Sequence, residues 1–320
     1  MRPIDFNEIV AFKSNAKVRA EISGISYYPR HSHYMVTEII CVLNGSVTVI
    51  DGAMKYELTK NDLHIFNSGD PHQIYSDDPN STVLLVQFDK TQYAHKFKGL
   101  EKAWYCIHSY DSSDQYLAET RYLRHLLADI YIEHAKREPS VIHLEQKTEE
   151  LIQLLYDYFH RHEYCSNPLG GFAIIRKKNA FKADDDFERV YVIEDYIEDH
   201  FREKPTLAEI AEMEHFNKTY LSRFIKDNIG VTFSEMFSIV RCSEAERLLA
   251  STTMSVEDIA RDVGFSNRSH LTKQFLKWYN ITPSAYRNNV FRDFTGTETI
   301  RYHDIQKDSA EDVIYEYLNG

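Results

Sequence analysis

The sequence predicts an α+β protein, in which an N-terminal β-barrel with a helical segment precedes an all-α domain of two helix-turn-helix units. Three observations lead to this prediction. Residues 19–90 contain short apolar runs separated by turn residues, as strands do. The apolar spacing becomes helical from about residue 113. The C-terminal third of the chain contains one two-helix layout twice, about fifty residues apart.

Short strands account for residues 19–90. Residues 38–43 and 46–50 flank the dipeptide Asn44-Gly45, which is typical of a tight hairpin turn. Further apolar runs at 63–66 and 83–88 add more strands. Because many short strands with regular turns favour a closed architecture, this part is predicted to be a small barrel or sandwich.

Two amphipathic helices are predicted next, around residues 116–131 and 151–159. They can form a dimer interface or cover the barrel, and the two roles are compatible. Residues 166–187 contain Pro168 and a run of three aspartates, so they are interpreted as a linker. Helical spacing resumes at 192–201.

Each copy of the repeated layout opens with a hydroxyl residue followed three positions later by a carboxylate, which marks a helix start. These pairs are Thr206 with Glu209 and Ser255 with Asp258. An Ile-Ala pair, a short break and a second polar helix follow in both copies. Two rigidly joined recognition helices can enter successive major grooves about 34 Å apart. Double-stranded DNA is therefore the predicted partner.

The net charge of −12 argues against nucleic acid until its distribution is considered. Residues 215–226 and 263–292 contain no acidic residue but several basic ones, so a positive field is expected over the second helix of each pair. No apolar run approaches the roughly 20 residues that span a bilayer, and the N-terminus lacks the apolar core of a signal peptide. These features predict a cytoplasmic protein without membrane contact, and its four scattered cysteines are expected to be reduced.

Residues 188–290 resemble the DNA-binding domain of the AraC/XylS family of transcription regulators, which joins two helix-turn-helix units through a linking helix. The resemblance depends on matches at Phe237, Arg241, Ala245, Leu248, Leu249, Ile259-Ala260, Gly264-Phe265, Phe275, Thr282-Pro283 and Tyr286-Arg287. Two positions depart from the family pattern. Asn280 replaces a glycine, and Leu271 stands where an aromatic residue is commoner. Asparagine tolerates the left-handed conformation, so the first departure is mild.

The resemblance implies which side chains face the groove. Leu221 and Leu271 are the expected apolar anchors, and the outward-facing polar residues of the two recognition helices are Lys218, Thr219, Ser222, Arg223, Arg268, Ser269, His270, Thr272 and Lys273. Arginine pairs bidentately with guanine, whereas serine and threonine are less selective. Lys277 and Arg287 are expected to hold phosphates. The alternative for each residue is a solvated helix face.

The barrel segment resembles the two motifs of cupins. The pattern H-x-H-x4-E-x6-G is complete in His31, His33, Glu38 and Gly45, whereas the second motif keeps only Gly69 and His72. In AraC-type regulators such a barrel is the usual effector-binding domain, and the effector is often a sugar.

Three interpretations of the polar barrel residues stay open. His31, His33, Glu38 and His72 can bind a divalent transition metal, since imidazole with carboxylate suits such ions. Alternatively, these four residues and Arg30 bind a small ligand directly. In the third interpretation they are structural residues at the barrel rim. No cofactor is certain on the sequence alone.

The predicted organisation is an effector-binding and dimerisation domain at 1–165, a linker at 166–187, a DNA-binding domain at 188–290 and an extension at 291–320. The leading hypothesis is a homodimeric, ligand-responsive transcription activator of carbohydrate or small-metabolite genes, with RNA polymerase as a candidate partner and no enzymatic activity. One alternative is a metal-dependent cupin enzyme with an appended DNA-binding module. Another is a DNA-binding protein whose barrel only dimerises.

Overall fold

The computed structural model describes residues 8–12, 15–52, 54–97, 99–101, 103–107, 117–159, 164–166, 172–174, 184–203, 205–213, 215–292, 299–303 and 314. The chain forms two compact units. One contains the described parts of residues 6–160 and 295–320, and the other contains the described parts of residues 161–294.

The first unit is a nearly closed antiparallel barrel. Its strands are β1 (Val18–His31), β2 (Val36–Asn44), β3 (Ser46–Asp51), β4 (Met54–Thr59), β5 (Leu63–Phe66), β6 (His72–Tyr75) and β7 (Thr82–Asp89). They are paired in the order β4-β3-β6-β1-β7-β2-β5. The predicted barrel is confirmed. The hairpin predicted at Asn44-Gly45 is wrong, because β2 pairs with β5 and β7 whereas β3 pairs with β4 and β6, so this turn carries the chain between strands that are not neighbours. Gly45 has a φ of +68° and lies against Asp78 and Ser81, so this turn requires glycine.

Alternate residues of the central strands face two different apolar cores. In β2, Ile40 and Val42 face the barrel interior, whereas Ile39 and Cys41 face the helices outside. These helices are α2 (Leu117–His134) and α3 (Val141–Leu154), which continues as a π-helical segment to Phe159, and a short helix α1 (Lys90–Tyr93) precedes them. Both long helices bury their apolar residues in the outer core, so they cover the barrel as one of the two interpretations predicted.

The barrel unit also includes residues from the C-terminal extension. A short strand, β10 (Arg301–His303), pairs antiparallel with β1, and Ile314 is buried in the outer core. The sequence alone left the packing of this extension undecided. These contacts show that part of it belongs to the barrel unit.

In its described residues, the second unit is helical apart from a short hairpin of β8 (Tyr164–Ser166) and β9 (Phe172–Ile174), which overlaps the region interpreted as a linker. Its helices are α4 (Asp184–His200), α5 (Leu207–Met213), α6 (Lys218–Ile229), α7 (Phe233–Ser251), α8 (Val256–Asp262), α9 (Arg268–Tyr279) and α10 (Pro283–Arg292). The pairs α5–α6 and α8–α9 are the two predicted helix-turn-helix units, and α7 links them.

Local sequence explains the ends of these helices. Asn217 and Asn267 cap the N-termini of α6 and α9 by accepting hydrogen bonds from backbone amides. Gly230 and Asn280 end the same helices in the left-handed conformation, with φ of +85° and +54°. The asparagine therefore takes the role that a glycine has elsewhere, as its sequence position indicated.

The linking helix α7 is fixed to the rest of the unit by polar contacts in its middle and in its C-terminal half. Arg241 donates to the backbone carbonyls of Phe201 and Glu203, which follow α4. Glu246 accepts hydrogen bonds from the hydroxyls of Tyr279 and Tyr286 in the second helix-turn-helix unit. These contacts hold the segment between α4 and α5 and the second helix-turn-helix unit at defined positions on α7.

Candidate functional site

Strand register brings the predicted barrel residues together. His31 of β1 lies opposite His72 of β6, and Glu38 of β2 lies opposite Gln87 of β7. Residues that are opposite in antiparallel strands share a face, so these side chains point into the barrel together. The quartet consists of His31, His33, Glu38 and His72. It offers four ligand atoms that all lie within 4.8 Å of one another, and all four residues are buried.

Two histidines of the quartet are oriented by the backbone. Nδ1 of His31 lies 2.8 Å from the carbonyl oxygen of Pro29, and Nδ1 of His72 lies 2.8 Å from that of Asp70. Because a carbonyl only accepts, both Nδ1 atoms must be protonated, so each ring turns its Nε2 away from the backbone. The ring of Phe66 stacks on His72 at 3.8 Å and fixes its plane.

Glu38 is the centre of the cluster. Its Oε2 accepts hydrogen bonds from His33 Nε2 at 2.9 Å and Gln87 Nε2 at 2.5 Å, and its Oε1 lies 3.7 Å from His72 Nε2. Burial by itself would raise the pKa of Glu38, but contacts with His33 and His72 lower it to well below the ordinary value. Burial opposes protonation of His33, yet the Glu38 carboxylate raises its pKa above the ordinary value. Glu38 and His33 thus form a buried ion pair.

His31 has the opposite protonation preference. Burial, followed by the proximity of His72, lowers the pKa of His31 well below its ordinary value, so its ring is neutral at pH 7. A neutral imidazole whose Nδ1–H is held by a carbonyl is a suitable metal ligand or hydrogen-bond acceptor. The quartet can therefore either coordinate a cation or bind hydroxyl groups directly.

The donor set fits a divalent transition metal. His72 Nε2 and His33 Nδ1 are buried atoms without a hydrogen-bond partner among the described residues, and such atoms normally have one. A metal would satisfy His72 Nε2, and the carbonyls of Pro29 and Asp70 would orient two of its histidine ligands. The His33–Glu38 ion pair, in contrast, is already complete without a cation.

Arg30 is not brought to this cluster. Successive residues of a strand point to opposite faces, so Arg30 faces away from the side occupied by His31. Its guanidinium donates to the backbone carbonyls of Gly52 and Pro71. The Arg30 guanidinium thus ties together two turns, and its role in ligand binding stays a prediction.

The sequence analysis did not identify two polar residues that lie close to the quartet, Gln87 and Glu8. Gln87 interrupts an apolar strand at the same parity as the inward-facing Val83 and Leu85, which was a usable signal. Glu8 accepts a hydrogen bond from the Tyr28 hydroxyl and lies 3.7 Å from His31 Nε2. Nothing in its local sequence indicates that Glu8 returns to the barrel.

The recognition helices present the predicted surface. Leu221 of α6 and Leu271 of α9 are fully buried anchors. The outward residues are all exposed except Thr272, which is half-buried; they are Lys218, Thr219, Ser222, Arg223, Arg268, Ser269, His270, Thr272 and Lys273. The Arg223 side chain is 84% exposed and pairs with Asp227 through an N–O distance of 3.4 Å. The Arg268 guanidinium makes one long contact of 3.4 Å, to Ser284.

The two expected phosphate-binding residues differ in their environments. Arg287 donates to the backbone carbonyls of Leu249 and Met254, so its guanidinium is used inside the unit and the phosphate role is not supported. Lys277 is exposed, forms an ion pair with Glu235 at 2.8 Å and lies over the Trp278 ring. The Lys277 ammonium group can form an ion pair with a phosphate only if its ion pair with Glu235 is broken.

Family models match both parts of the chain. An AraC-like ligand binding domain matches residues 18–155, and a helix-turn-helix domain matches residues 210–289. These segments correspond to the barrel with its covering helices and to the duplicated helical unit. Among the described residues, no helix is both long and apolar enough to cross a bilayer.

Curated relatives are named as HTH-type transcriptional regulators. One from Staphylococcus aureus (strain COL) is 24% identical over 273 residues, which cover 85% of this chain and 34% of the relative. YisR of Bacillus subtilis is 33% identical over 117 residues, covering 36% of this chain and 41% of YisR. The chain thus spans between a third and a half of the length of these relatives.

Solved structures include similar chains. ToxT from Vibrio cholerae is 15% identical, with a TM-score of 0.42 and coverage of 88% of this chain and 99% of ToxT. The C-terminal domain of AraT, a response regulator from Geobacillus stearothermophilus, is 29% identical and has a TM-score of 0.32. It covers 34% of this chain and 93% of the AraT domain.

Proposed function

Because this chain belongs to the AraC family of transcription regulators, we propose that it is a ligand-responsive regulator whose two recognition helices read successive major grooves. The main support is the outward polar surface of α6 and α9. These helices are anchored by Leu221 and Leu271, capped at their N-termini by asparagine and held on α7. Capped helix N-termini favour phosphate contacts, while the exposed side chains of the first turns reach base edges.

Arg268 is the side chain proposed to carry most of the sequence reading. It is the first residue of α9, and its guanidinium has no ion pair among the described residues. Arg268→Ala is expected to weaken binding to the preferred site by about 1–3 kcal/mol and to relax specificity at one base pair. The measurement is a fluorescence-anisotropy titration on a site obtained by in vitro selection and on its single-base-pair variants.

Arg261→Ala is the matched control for this prediction. Arg261 is an exposed arginine of the same helix-turn-helix unit, but it lies on the first helix and pairs with Glu257 at 3.1 Å. We expect it to change affinity less than Arg268→Ala and to leave the base preference intact. If Arg268→Ala weakened every DNA sequence equally, Arg268 would be a phosphate contact and base reading would have to be assigned elsewhere.

The effector of the proposed regulator is a small molecule that binds in the barrel beside the quartet. A sugar is the leading class of such a molecule. The buried Nε2 acceptor of neutral His31 and the carboxylate of Glu38 support a ligand that donates several hydrogen bonds. Hydroxyl groups provide such donors. A thermal-shift screen with mono- and oligosaccharides tests this part, because a ligand that binds only the folded state raises the melting temperature.

The proposal includes a homodimer that activates transcription through contact with RNA polymerase. Tyr122 on α2 and Ile142 on α3 are exposed large apolar residues, 45% and 69% accessible, on the two helices that cover the barrel. Light scattering of the chain with Ile142→Asp tests the dimer, since a charge at an apolar interface should favour monomers. An unchanged dimer would place the interface elsewhere.

The buried quartet favours a second candidate function, that of a metal-dependent protein. His31, His33, Glu38 and His72 would hold the ion, which would supply a Lewis-acid centre in the barrel. We expect about one transition-metal ion per chain, measured by elemental analysis of protein prepared without a histidine tag. The matched variant His31→Ala should lose it, whereas metal below about a tenth of an equivalent in the wild type would contradict this candidate.

A further inference from the structure

The C-terminal strand β10 lies beside a part of the barrel wall that carries functional side chains. Tyr27 of β1 pairs with both Tyr75 of β6 and Arg301 of β10, so β10 occupies the edge of β1 opposite to β6. An exposed strand edge is a site where another segment can add. Here the chain fills the edge with its own extension, which follows the DNA-binding helices in the sequence.

Register determines which residue of β10 faces the barrel interior. Tyr302 lies opposite Ile25, and Ile25 is fully buried in the interior apolar cluster. Because opposite residues share a face, the Tyr302 ring is on the interior side. It contacts the Tyr28 ring edge-on, with centroids 6.5 Å apart, whereas Arg301 lies over Tyr27 on the other face.

A continuous line of polar side chains leads from this end of the interior to the quartet. Arg19 donates to Glu21 at 2.6 Å and to Gln87 Oε1 at 3.4 Å. The amide nitrogen of Gln87 then donates to Glu38. Glu38 and Gln87 are buried, whereas the side chains of Arg19 and Glu21 are 29% and 32% accessible, so water reaches the interior face at the Arg19 end.

Tyr302 stands at this accessible end. It is 51% exposed, and its hydroxyl has no hydrogen-bond partner among the described residues. Burial and the nearby Glu21 carboxylate raise the pKa of Tyr302, which agrees with its position close to the Arg19–Glu21 pair. A half-exposed ring with an available hydroxyl, next to paired donors and acceptors, has the properties of a ligand contact.

The charges around this interior select the ligand class. Glu8, Glu21 and Glu38 supply carboxylates, while the Arg19 guanidinium supplies a positive charge that is already paired with Glu21. An anionic ligand would meet an excess of negative charge. A neutral molecule with several hydroxyl groups can both donate to the carboxylates and accept from the guanidinium, and its apolar face can pack on an aromatic ring.

We propose that Tyr302, Arg19 and Glu21 form the outer half of the effector site and bind a neutral polyhydroxylated molecule that extends inward toward Glu38. This inference rests on the proposed function and adds a contact from the C-terminal extension. A consequence follows from linkage, since a ligand that touches Tyr302 also favours the paired state of β10. The effector would thereby tighten the attachment of a segment that directly follows the DNA-binding helices.

Ligand-observed saturation-transfer NMR provides the test, with a fixed panel of neutral pentoses, hexoses and disaccharides as probes. The full chain is compared with Tyr302→Ala, Tyr302→Phe and the control Arg301→Ala, which alters the opposite face of the same strand. We expect Tyr302→Ala to weaken binding of the responding sugar about tenfold and Arg301→Ala to leave it unchanged. Tyr302→Phe keeps the ring and should shift preference among epimers, which a purely structural role would not do.

The outcomes separate this inference from the function on which it rests. A sugar that binds the wild type and Tyr302→Ala equally would overturn the role of Tyr302 and leave the effector-binding barrel intact. Absence of saturation transfer from every probe would overturn the ligand class and this inference with it. The DNA-reading role would be unaffected by either result, because it is measured by operator affinity. If Tyr302→Ala detaches β10 from β1, Arg19→Gln replaces it in the comparison of sugar binding, because Arg19 belongs to β1 itself.

Discussion

Glu38→Leu is expected to destabilise the barrel unit by about 3–5 kcal/mol, which is the cost of breaking a buried ion pair from one side. In the wild type, the Glu38 carboxylate accepts hydrogen bonds from His33 and Gln87 while it is only 2% exposed. Leucine matches the size of glutamate but accepts nothing. His33 would lose the carboxylate that raises its pKa, and the amide of Gln87 would lose its acceptor.

The two tryptophans allow this loss to be measured in the barrel alone. Trp104 belongs to the barrel unit and Trp278 to the helical unit, and the chain has no others. Urea unfolding is therefore followed by Trp104 fluorescence in a Trp278→Phe background. Glu57→Leu is the control, because the Glu57 side chain is 63% exposed, and it should change stability by less than about 1 kcal/mol. Equal losses for the two variants would mean that the cluster around Glu38 adds no stability.

Sequence spacing was sufficient to predict the quartet but not its surroundings. His31, His33 and Glu38 are close in the chain and follow a known pattern, and a single strand pairing adds His72. Gln87 joins them only through the register of β2 with β7, which no local pattern specifies. Local patterns therefore identified His31 on β1, Glu38 on β2 and His33 between them, whereas Gln87 joins them through a pairing distant in sequence.

The residues whose surroundings the sequence did not indicate share a physical cause. Arg30 is next to His31, but a strand alternates its faces, so neighbours in sequence are not neighbours in a site. Arg287 fits a family position, yet its guanidinium binds carbonyls of the same unit. The proposed role of Tyr302 had no signal in the sequence, because it depends on where the C-terminal extension pairs. In each case the direction of a side chain, rather than its residue type, determines which groups it contacts.

The helical unit was predicted more completely because its contacts are local. The helix start predicted at Ser255 and Asp258 and the buried anchors Leu221 and Leu271 follow from positions within one helix. Helical spacing alone then determines which polar residues face outward. The buried link from Glu246 to Tyr279 and Tyr286 was not predicted, since it joins segments more than thirty residues apart.

Gly264→Ala is expected to destabilise the helical unit by about 2–4 kcal/mol, because two costs add. Gly264 has a φ of +86°, which an alanine adopts only with strain. A Cβ at this position would also lie 2.8 Å from the carbonyl oxygen of Arg202 and 3.0 Å from its Cα, and backbone atoms cannot move aside cheaply. Unfolding is followed through Trp278 in a Trp104→Phe background.

The duplicated layout supplies an internal control for this prediction. His215 holds the equivalent position in the first helix-turn-helix unit: Phe216 donates to Ala211 as Phe265 donates to Ala260, and His215 also has a positive φ, of +55°. His215→Gly should change stability by less than about 1 kcal/mol, because relief of strain offsets the greater freedom of glycine in the unfolded chain. If Gly264→Ala lowered the stability of the helical unit only slightly, the segment at the end of α4 would have to be able to move away from this turn. Since Arg241 binds the same Phe201–Glu203 segment, that movement would also shift α7 and with it the spacing of the two recognition helices.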